Sequence, residues 1–96
     1  MSDETTEEGN LTLSPNPTDG ELRFGLGLAT KTDVAVSLSD ANGRVLLTKS
    51  FKNKTGRLDE KLDLRALPDG AYIFECVLTT QTAPQKRLSR KVLVAK

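Results

Sequence analysis

Leu67-Pro-Asp-Gly-Ala-Tyr-Ile-Phe-Glu-Cys-Val-Leu78 sets the period of this chain. A Pro-Asp-Gly turn runs straight into a segment in which Tyr72, Phe74, Cys76 and Leu78 recur at every second position. Side chains two apart share one face of a β-strand, so this spacing describes a strand with one buried face. Pro68 fixes φ, and Gly70 can take the positive φ that a turn of this kind needs. A tyrosine near the start of a late strand, with its hydroxyl bonded to the backbone a few residues upstream, is a recurrent device of β-sandwich domains. Tyr72 is read as such a corner, with Leu67 packed beneath it.

The same period of two extends outward in both directions. Leu11-Thr-Leu13 is a short strand, stopped by Pro15-Asn-Pro17-Thr-Asp-Gly20, where two prolines and a glycine forbid a continued ladder. Leu22, Phe24, Leu26 and Leu28 form one strand, and Val34, Val36 and Leu38 the next. Asn42-Gly43 predicts a tight hairpin, because both residues tolerate positive φ. Arg44–Thr48, reaching toward Phe51, returns from it, and Lys52–Gly56 reads as a loop. Leu58, Leu62 and Leu64 mark the fifth strand, Tyr72–Thr79 the sixth, and Leu88–Val94 the seventh after the loop Thr79–Gln85. Seven short strands with hairpin punctuation predict a seven-stranded antiparallel immunoglobulin-like β-sandwich, all-β, with no helix longer than about a turn. Leu22, Phe24, Val36, Leu38, Leu64, Phe74 and Cys76 should line its interior.

Composition narrows the chemistry. The 96 residues make one domain, with only Phe24, Phe51, Phe74 and Tyr72 aromatic and no tryptophan. Residues 1–10 are acidic and lack apolar periodicity, and are expected to be a flexible linker ahead of a domain spanning 11–96. Net charge is +1, which argues against a nucleic-acid partner. Its distribution is lopsided. Up to Glu21 every charged side chain is acidic, and from Lys86 to Lys96 every one is basic. Histidine is absent, which removes the commonest general base and metal ligand. Asp59 and Glu60 are adjacent and should point to opposite faces. Asp40-Ala-Asn-Gly43 lacks the spaced acids of a calcium loop. Gly25 and Gly27 lie in a strand with no helix after them, so they build no phosphate loop. The lone Cys76 is expected to be a core thiol. An enzyme is not expected, nor a metal, a cofactor or a small-molecule substrate. No signal peptide and no membrane-spanning apolar run is present, so an exported form implies a longer precursor.

Three segments, taken in order, resemble one family. They are Leu13-Ser-Pro-Asn-Pro-Thr-Asp-Gly20, then Val36-Ser-Leu-Ser-Asp-Ala-Asn-Gly-Arg-Val45, then Leu62-Asp-Leu-Arg-Ala-Leu-Pro-Asp-Gly-Ala-Tyr72 with the ending Lys91-Val-Leu-Val-Ala-Lys96. Together they resemble the type A C-terminal sorting domain of proteins exported by the type IX secretion system of Bacteroidetes. Pro15, Asn16, Pro17 and Gly20 match its first motif, although Ser14 stands where an aromatic residue often precedes. Leu67, Pro68, Gly70 and Tyr72 match the second. Lys91, Val92, Leu93, Val94, Ala95 and Lys96 match the basic-apolar-basic end.

The resemblance implies a non-enzymatic address label. Its cargo crosses the inner membrane, passes through the periplasm and reaches the cell surface or the medium. The implied partners are the type IX outer-membrane translocon, its shuttle proteins, and a sortase-like signal peptidase that removes the label, with the stretch Ser2–Asn10 as an accessible place to cut. A homodimer is left open. On the residues alone, a terminal strand can dock by adding to a partner's sheet, with Lys91 and Lys96 reaching acidic groups. The competing reading is an immunoglobulin-like spacer or adhesion module, since such folds host many functions.

Overall fold

The structure, a computed structural model, describes residues 11–96, and the expected acidic linker 1–10 lies outside the described residues. The chain is all-β and antiparallel, in five strands. They are β1 (Thr12–Ser14), β2 (Glu21–Ser39), β3 (Val45–Asp63), β4 (Gly70–Thr79) and β5 (Lys86–Val94). Each of the seven expected segments is extended, but two pairs of them fuse. Between Leu28 and Val34 the chain reads Ala-Thr-Lys-Thr-Asp, with no glycine or proline to end a ladder, so β2 runs on through a bend. Lys52–Gly56, expected as a loop, stays paired with β2 as part of β3. The surplus residues are absorbed where pairing shifts between Leu28 and Thr32 and between Thr32 and Val34. Asn53 and Gly56 take φ of 54° and 80° there, a region that asparagine and glycine enter at low cost.

The bend divides β2 into two halves with different neighbours. Its first half pairs with β1 (Phe24 opposite Leu13) and with the second half of β3 (Leu22 opposite Leu62). Its second half pairs with the first half of β3 (Leu38 opposite Leu47) and with β4 (Val36 opposite Cys76). β4 then pairs with β5, Tyr72 standing opposite Val92. Apart from the exposed Thr30, the even-numbered residues of β2 from Leu22 to Leu38 are buried on both halves. One core results. Phe24 from the first half meets Phe74 of β4 at a ring-centroid distance of 5.4 Å, and Phe51 meets Phe24 edge-on at 6.1 Å, both favourable aromatic geometries. All seven residues expected in the interior are buried.

The β2–β3 hairpin forms where expected, by a different turn. Gly43 alone has positive φ, at 87°, so this is not the two-residue turn that needs positive φ at both central positions. Gly43 N donates to Asp40 O and Asp40 N to Arg44 O, both at 3.0 Å. The Asp40 carboxylate accepts from the backbone N–H groups of Asn42 and Arg44 at 2.9 and 3.0 Å. Those bonds, Arg44's first, hold the Asp40 carboxyl below its ordinary range. Glycine at position 25 has its own reason. A side chain there would collide with the guanidinium of Arg57 and stand 2.6 Å from the Asp59 carboxylate. That pair, 3.1 Å apart, lies across the bare backbone so that Arg57 reaches Thr12 Oγ1 at 3.4 Å.

Cys76 is wholly buried, and burial pushes its thiol up to about 12 from 9.0. The folded chain therefore holds the proton more tightly than the unfolded one. That contribution is complete below about pH 9 and is lost as pH rises toward 12, with a slope of at most about 1.4 kcal/mol per pH unit. The difference in urea-unfolding free energy between the chain and Cys76→Ala should narrow over that interval. A difference independent of pH would show that the thiol is open to solvent.

Candidate functional site

The three motifs come together at the free side of β5. In an antiparallel pair one edge of β5 is used by β4, and the other would present bare N–H and C=O groups. Instead the turn Pro15–Gly20 lies along it. The Asn16 side-chain amide works as a piece of backbone. Its Nδ2 donates to Lys91 O at 2.9 Å, and its Oδ1 accepts from Leu93 N at 3.0 Å. One residue pair further on, Thr18 N donates to Leu93 O and Ala95 N to Thr18 O, both at 2.8 Å, which makes a parallel bridge between Thr18 and Val94. Pro15 and Pro17 flank Asn16 on the exposed side. Neither has a donor to offer, so the ladder is carried by the residues between and after them.

Thr18 is fully buried although polar, and every polar atom of it is used. Its hydroxyl donates to Glu21 O at 2.6 Å and accepts from Gly20 N at 3.1 Å, which meets the demand that a buried polar group be satisfied. Gly20 sits at φ 148°. Its carbonyl accepts from Leu64 N at 2.6 Å, and a Cβ there would stand 2.7 Å from Cγ of Arg65. The first motif is therefore a clamp between the end of β3 and the end of the chain.

The second motif closes the other side. Tyr72 is buried and its hydroxyl donates to Pro68 O at 2.5 Å. That is the corner the sequence predicts, with Gly70 at φ 158° and Leu67 half-buried against the core. The turn ahead of it, Leu64–Asp69, takes the last residue. Lys96 Nζ donates to Arg65 O at 2.8 Å and also to Leu67 O, while Lys96 N donates to Asp69 Oδ1 at 3.2 Å. Arg65 is in turn bound to Asp63 at 2.9 Å. The Arg65 guanidinium, helped by the Arg65 backbone N–H, holds the Asp63 carboxyl down at about 2.

Two expectations are corrected by this geometry. β5 stops at Val94, and its outer edge from Lys91 to Ala95 is occupied, so the ending cannot add to a partner's sheet while Pro15–Gly20 is in place. Lys96 is not a free charge, because its ammonium group already serves two carbonyl groups of the same chain. The sequence-predicted residues divide accordingly. Val92, Val94, Tyr72 and Gly20 are interior, and Asn16 and Lys96 are tied to backbone. Only Lys91 and Leu93 of the ending, with Ala95, face outward.

Across from them on the same outer face stand Ala71 and Ile73, since Leu93 pairs with Ala71 and Lys91 with Ile73. Ile73 and Leu93 are 42% and 40% exposed, high for large apolar side chains side by side. Sequence reading missed three contributors: Thr18, Arg65 and Ile73. The signal for Thr18 was its place two residues before Gly20, where a hydroxyl can accept the turn's N–H. The period of two sets Ile73 on the face opposite Tyr72, Phe74 and Cys76, but nothing in the local pattern says that this face stays uncovered.

The sequence profile described as "secretion system C-terminal sorting domain" matches residues 12–94. No curated protein matches the chain. Among solved structures, dimeric latent PorU from Porphyromonas gingivalis is similar with a TM-score of 0.73 at 23% identity, over 88% of this chain and 9% of PorU. A β-glucuronidase from Parabacteroides merdae aligns with a TM-score of 0.57 at 19% identity, over 88% of this chain and 13% of the enzyme. The soluble domain of PmoD from Methylocystis sp. ATCC 49242 (Rockwell) gives 0.55 at 14%, over 83% of this chain and 76% of that domain. The chain thus spans a small part of the first two proteins, and these likenesses concern the fold.

The clamp predicts graded losses. Tyr72→Phe should cost about 1 kcal/mol, the usual worth of one intramolecular hydrogen bond, and Tyr72→Ala roughly 3–5 kcal/mol. Asn16→Ala, which frees two backbone groups of β5, should cost about 1–2 kcal/mol. It should also speed amide exchange at Leu93 (the donor to Asn16) while leaving the β2 amides slow. Lys96→Met keeps the aliphatic stem and should still destabilise by about 1 kcal/mol. Urea midpoints unchanged for both Asn16→Ala and Lys96→Met would show that the ending is not held by these bonds.

Proposed function

The chain belongs to the family of secretion system C-terminal sorting domains, the sorting signals of the type IX system, and we propose that its readable surface is the outer face of β4 and β5. The observation that carries this reading is the division of the ending by side. Every second residue is consumed by the fold, whereas Lys91 and Leu93 stand in solvent beside Ile73 and Ala71. Exposed apolar side chains beside a cation form the kind of patch that marks a protein contact.

As a sorting signal the domain directs export to the cell surface or the medium. In the reading proposed here it folds in the periplasm behind its cargo, is met there by shuttle proteins and the outer-membrane translocon, and is cut away by a sortase-like peptidase within the linker 1–10. The domain itself has no catalytic role in this scheme and needs no cofactor. The two halves of the bent sheet would act as the two layers of an immunoglobulin-like sandwich. The single shared core supports that, as does the Phe24–Phe74 contact linking the halves. A rigid folded label of this kind presents the outer face of β4–β5 in one fixed geometry.

The test uses the whole chain fused behind a reporter that carries a signal peptide, in a type IX-competent bacterium. The native domain should bring the reporter to the surface. Leu93→Ser combined with Ile73→Ser, both on the outer face, should leave the domain folded by circular dichroism and trap the reporter in the periplasm. A second variant, Lys91→Glu, should also reduce export, with stability changed by under about 0.5 kcal/mol as for other surface substitutions. Full export of both folded variants would move the readout to another face. Failure of the native domain, with control domains exported, would favour the spacer or adhesion module.

A further inference from the structure

The sheet has two long outer edges, and the fold treats them in opposite ways. Along β5, Asn16 and Thr18 take Lys91 O, Leu93 N, Leu93 O and Ala95 N. Arg90, whose side chain sits on the inner face beside Leu88 and Val92, folds its guanidinium back onto Ser89 O at 2.8 Å. An inward-pointing charge and a covering segment are both ways of closing an edge. Among the described residues β3 pairs with β2 and with no other strand over Val45–Asp63. Among the described residues, no side chain or turn bonds to the backbone of Val45–Lys52 outside the β2 ladder.

The open edge has a definite chemistry. From Val45 to Leu58 the charged residues are Lys49, Lys52, Lys54 and Arg57, with no acid among them. Lys52 lies 3.9 Å from Asp33 and Arg57 is paired with Asp59. Lys49 and Lys54 have no ion-pair partner among the described residues. The strand also leaves apolar surface unfinished. Val45 and Leu46 are 54% and 38% exposed, while Leu47 and Phe51 lie half-covered at the rim of the core, with no described strand beyond them. Edge lysines alone would discourage pairing, but here they alternate with an unfinished apolar rim.

We propose that the β3 edge from Val45 to Arg57 receives an extended acidic segment of a partner protein as an added antiparallel strand. Main-chain bonds would extend the sheet. Leu47, Lys49 and Phe51 share one face by their pairing with Leu38, Val36 and Val34. An acidic side chain opposite Lys49 would therefore supply a cross-strand pair of opposite charge, and apolar side chains two positions to either side of it would complete the cover over Leu47 and Phe51. A further acid would meet Lys52 on the other face. This surface is separate from the outer face of β4–β5, and it does not depend on which face the translocon reads.

The probe is the eight-residue peptide Glu-Val-Thr-Glu-Thr-Val-Val-Thr, which carries this pattern when it runs antiparallel to β3, blocked at both ends and carrying a dye, titrated into the full chain. Fluorescence anisotropy should show saturable binding that weakens as salt rises. Amide shifts in a ¹⁵N spectrum should be confined to Val45–Arg57 and its β2 partners. Lys49→Glu with Lys52→Glu and Lys54→Glu should weaken binding by about tenfold or more, and the variant's unchanged spectrum elsewhere would show that it is folded. Equal binding of a peptide with proline in place of valine would overturn the proposal, since charge without main-chain pairing would then suffice. So would equal binding of a peptide with lysine in place of glutamate, shifts centred on β5, or absence of binding at millimolar peptide.

Discussion

The structure depends on what happens to the second edge of β5. A strand that ends a sheet offers a row of unpaired N–H and C=O groups. Here four of them, from Lys91 O to Ala95 N, are met by a side-chain amide and one residue of backbone. Pro15, Pro17 and Gly20 restrict the turn that carries Asn16 and Thr18 to β5. Because Gly20 O in turn binds Leu64 N, the end of β3 is fixed by the same contact. The clamp thus joins positions about 75 residues apart in sequence, contacts whose loop-closure cost only a nearly complete fold can offset.

That closure explains why three motifs so far apart in the chain can act as a unit. The first covers the edge of β5 and the second builds the corner that β4 starts from. The last residue is then held across the turn between β3 and β4. Lys96 is instructive because its charge invites reading as a contact for a partner. Its ammonium group is the only one in the motif whose donors are committed within the chain, and two carbonyl groups of the Leu64–Leu67 turn are its acceptors. A cation is suited to this position, since a turn's carbonyl groups converge as partial negative charges.

Much of this was legible in the sequence, and the part that was not has a common cause. The period of two placed Leu22, Phe24, Val36, Leu38, Leu64, Phe74 and Cys76 inside, and Tyr72 at its corner, because burial follows alternation and turn chemistry is local. The strand count failed where a strand bends without a breaker: Ala29–Asp33 and Lys52–Gly56 continue the ladder through shifts in pairing, and such shifts leave almost no compositional mark. The hairpin at Asp40–Arg44 was predicted in place but not in turn type, since Asn-Gly serves either turn. The edge cover was missed because a side-chain amide standing in for backbone is a tertiary event. No pattern within Pro15–Gly20 says which strand it will lie against.

The ending therefore carries two kinds of information in one strand, separated by side-chain parity. Val92 and Val94 belong to the core, and their backbone neighbours Lys91 and Leu93 supply edge groups to the clamp while their side chains face solvent. Folding and display are then coupled through the main chain. Any disturbance of Asn16 or Thr18 lets the edge fray, and the outer side chains of Lys91 and Leu93 lose their fixed spacing to Ile73 even though none of them has been altered. A loss of recognition on changing the first motif would not, by itself, make that motif a contact surface. In the proposed reading the side chains of the outer face are the ones a partner meets, and the motifs around them contribute by holding that face still.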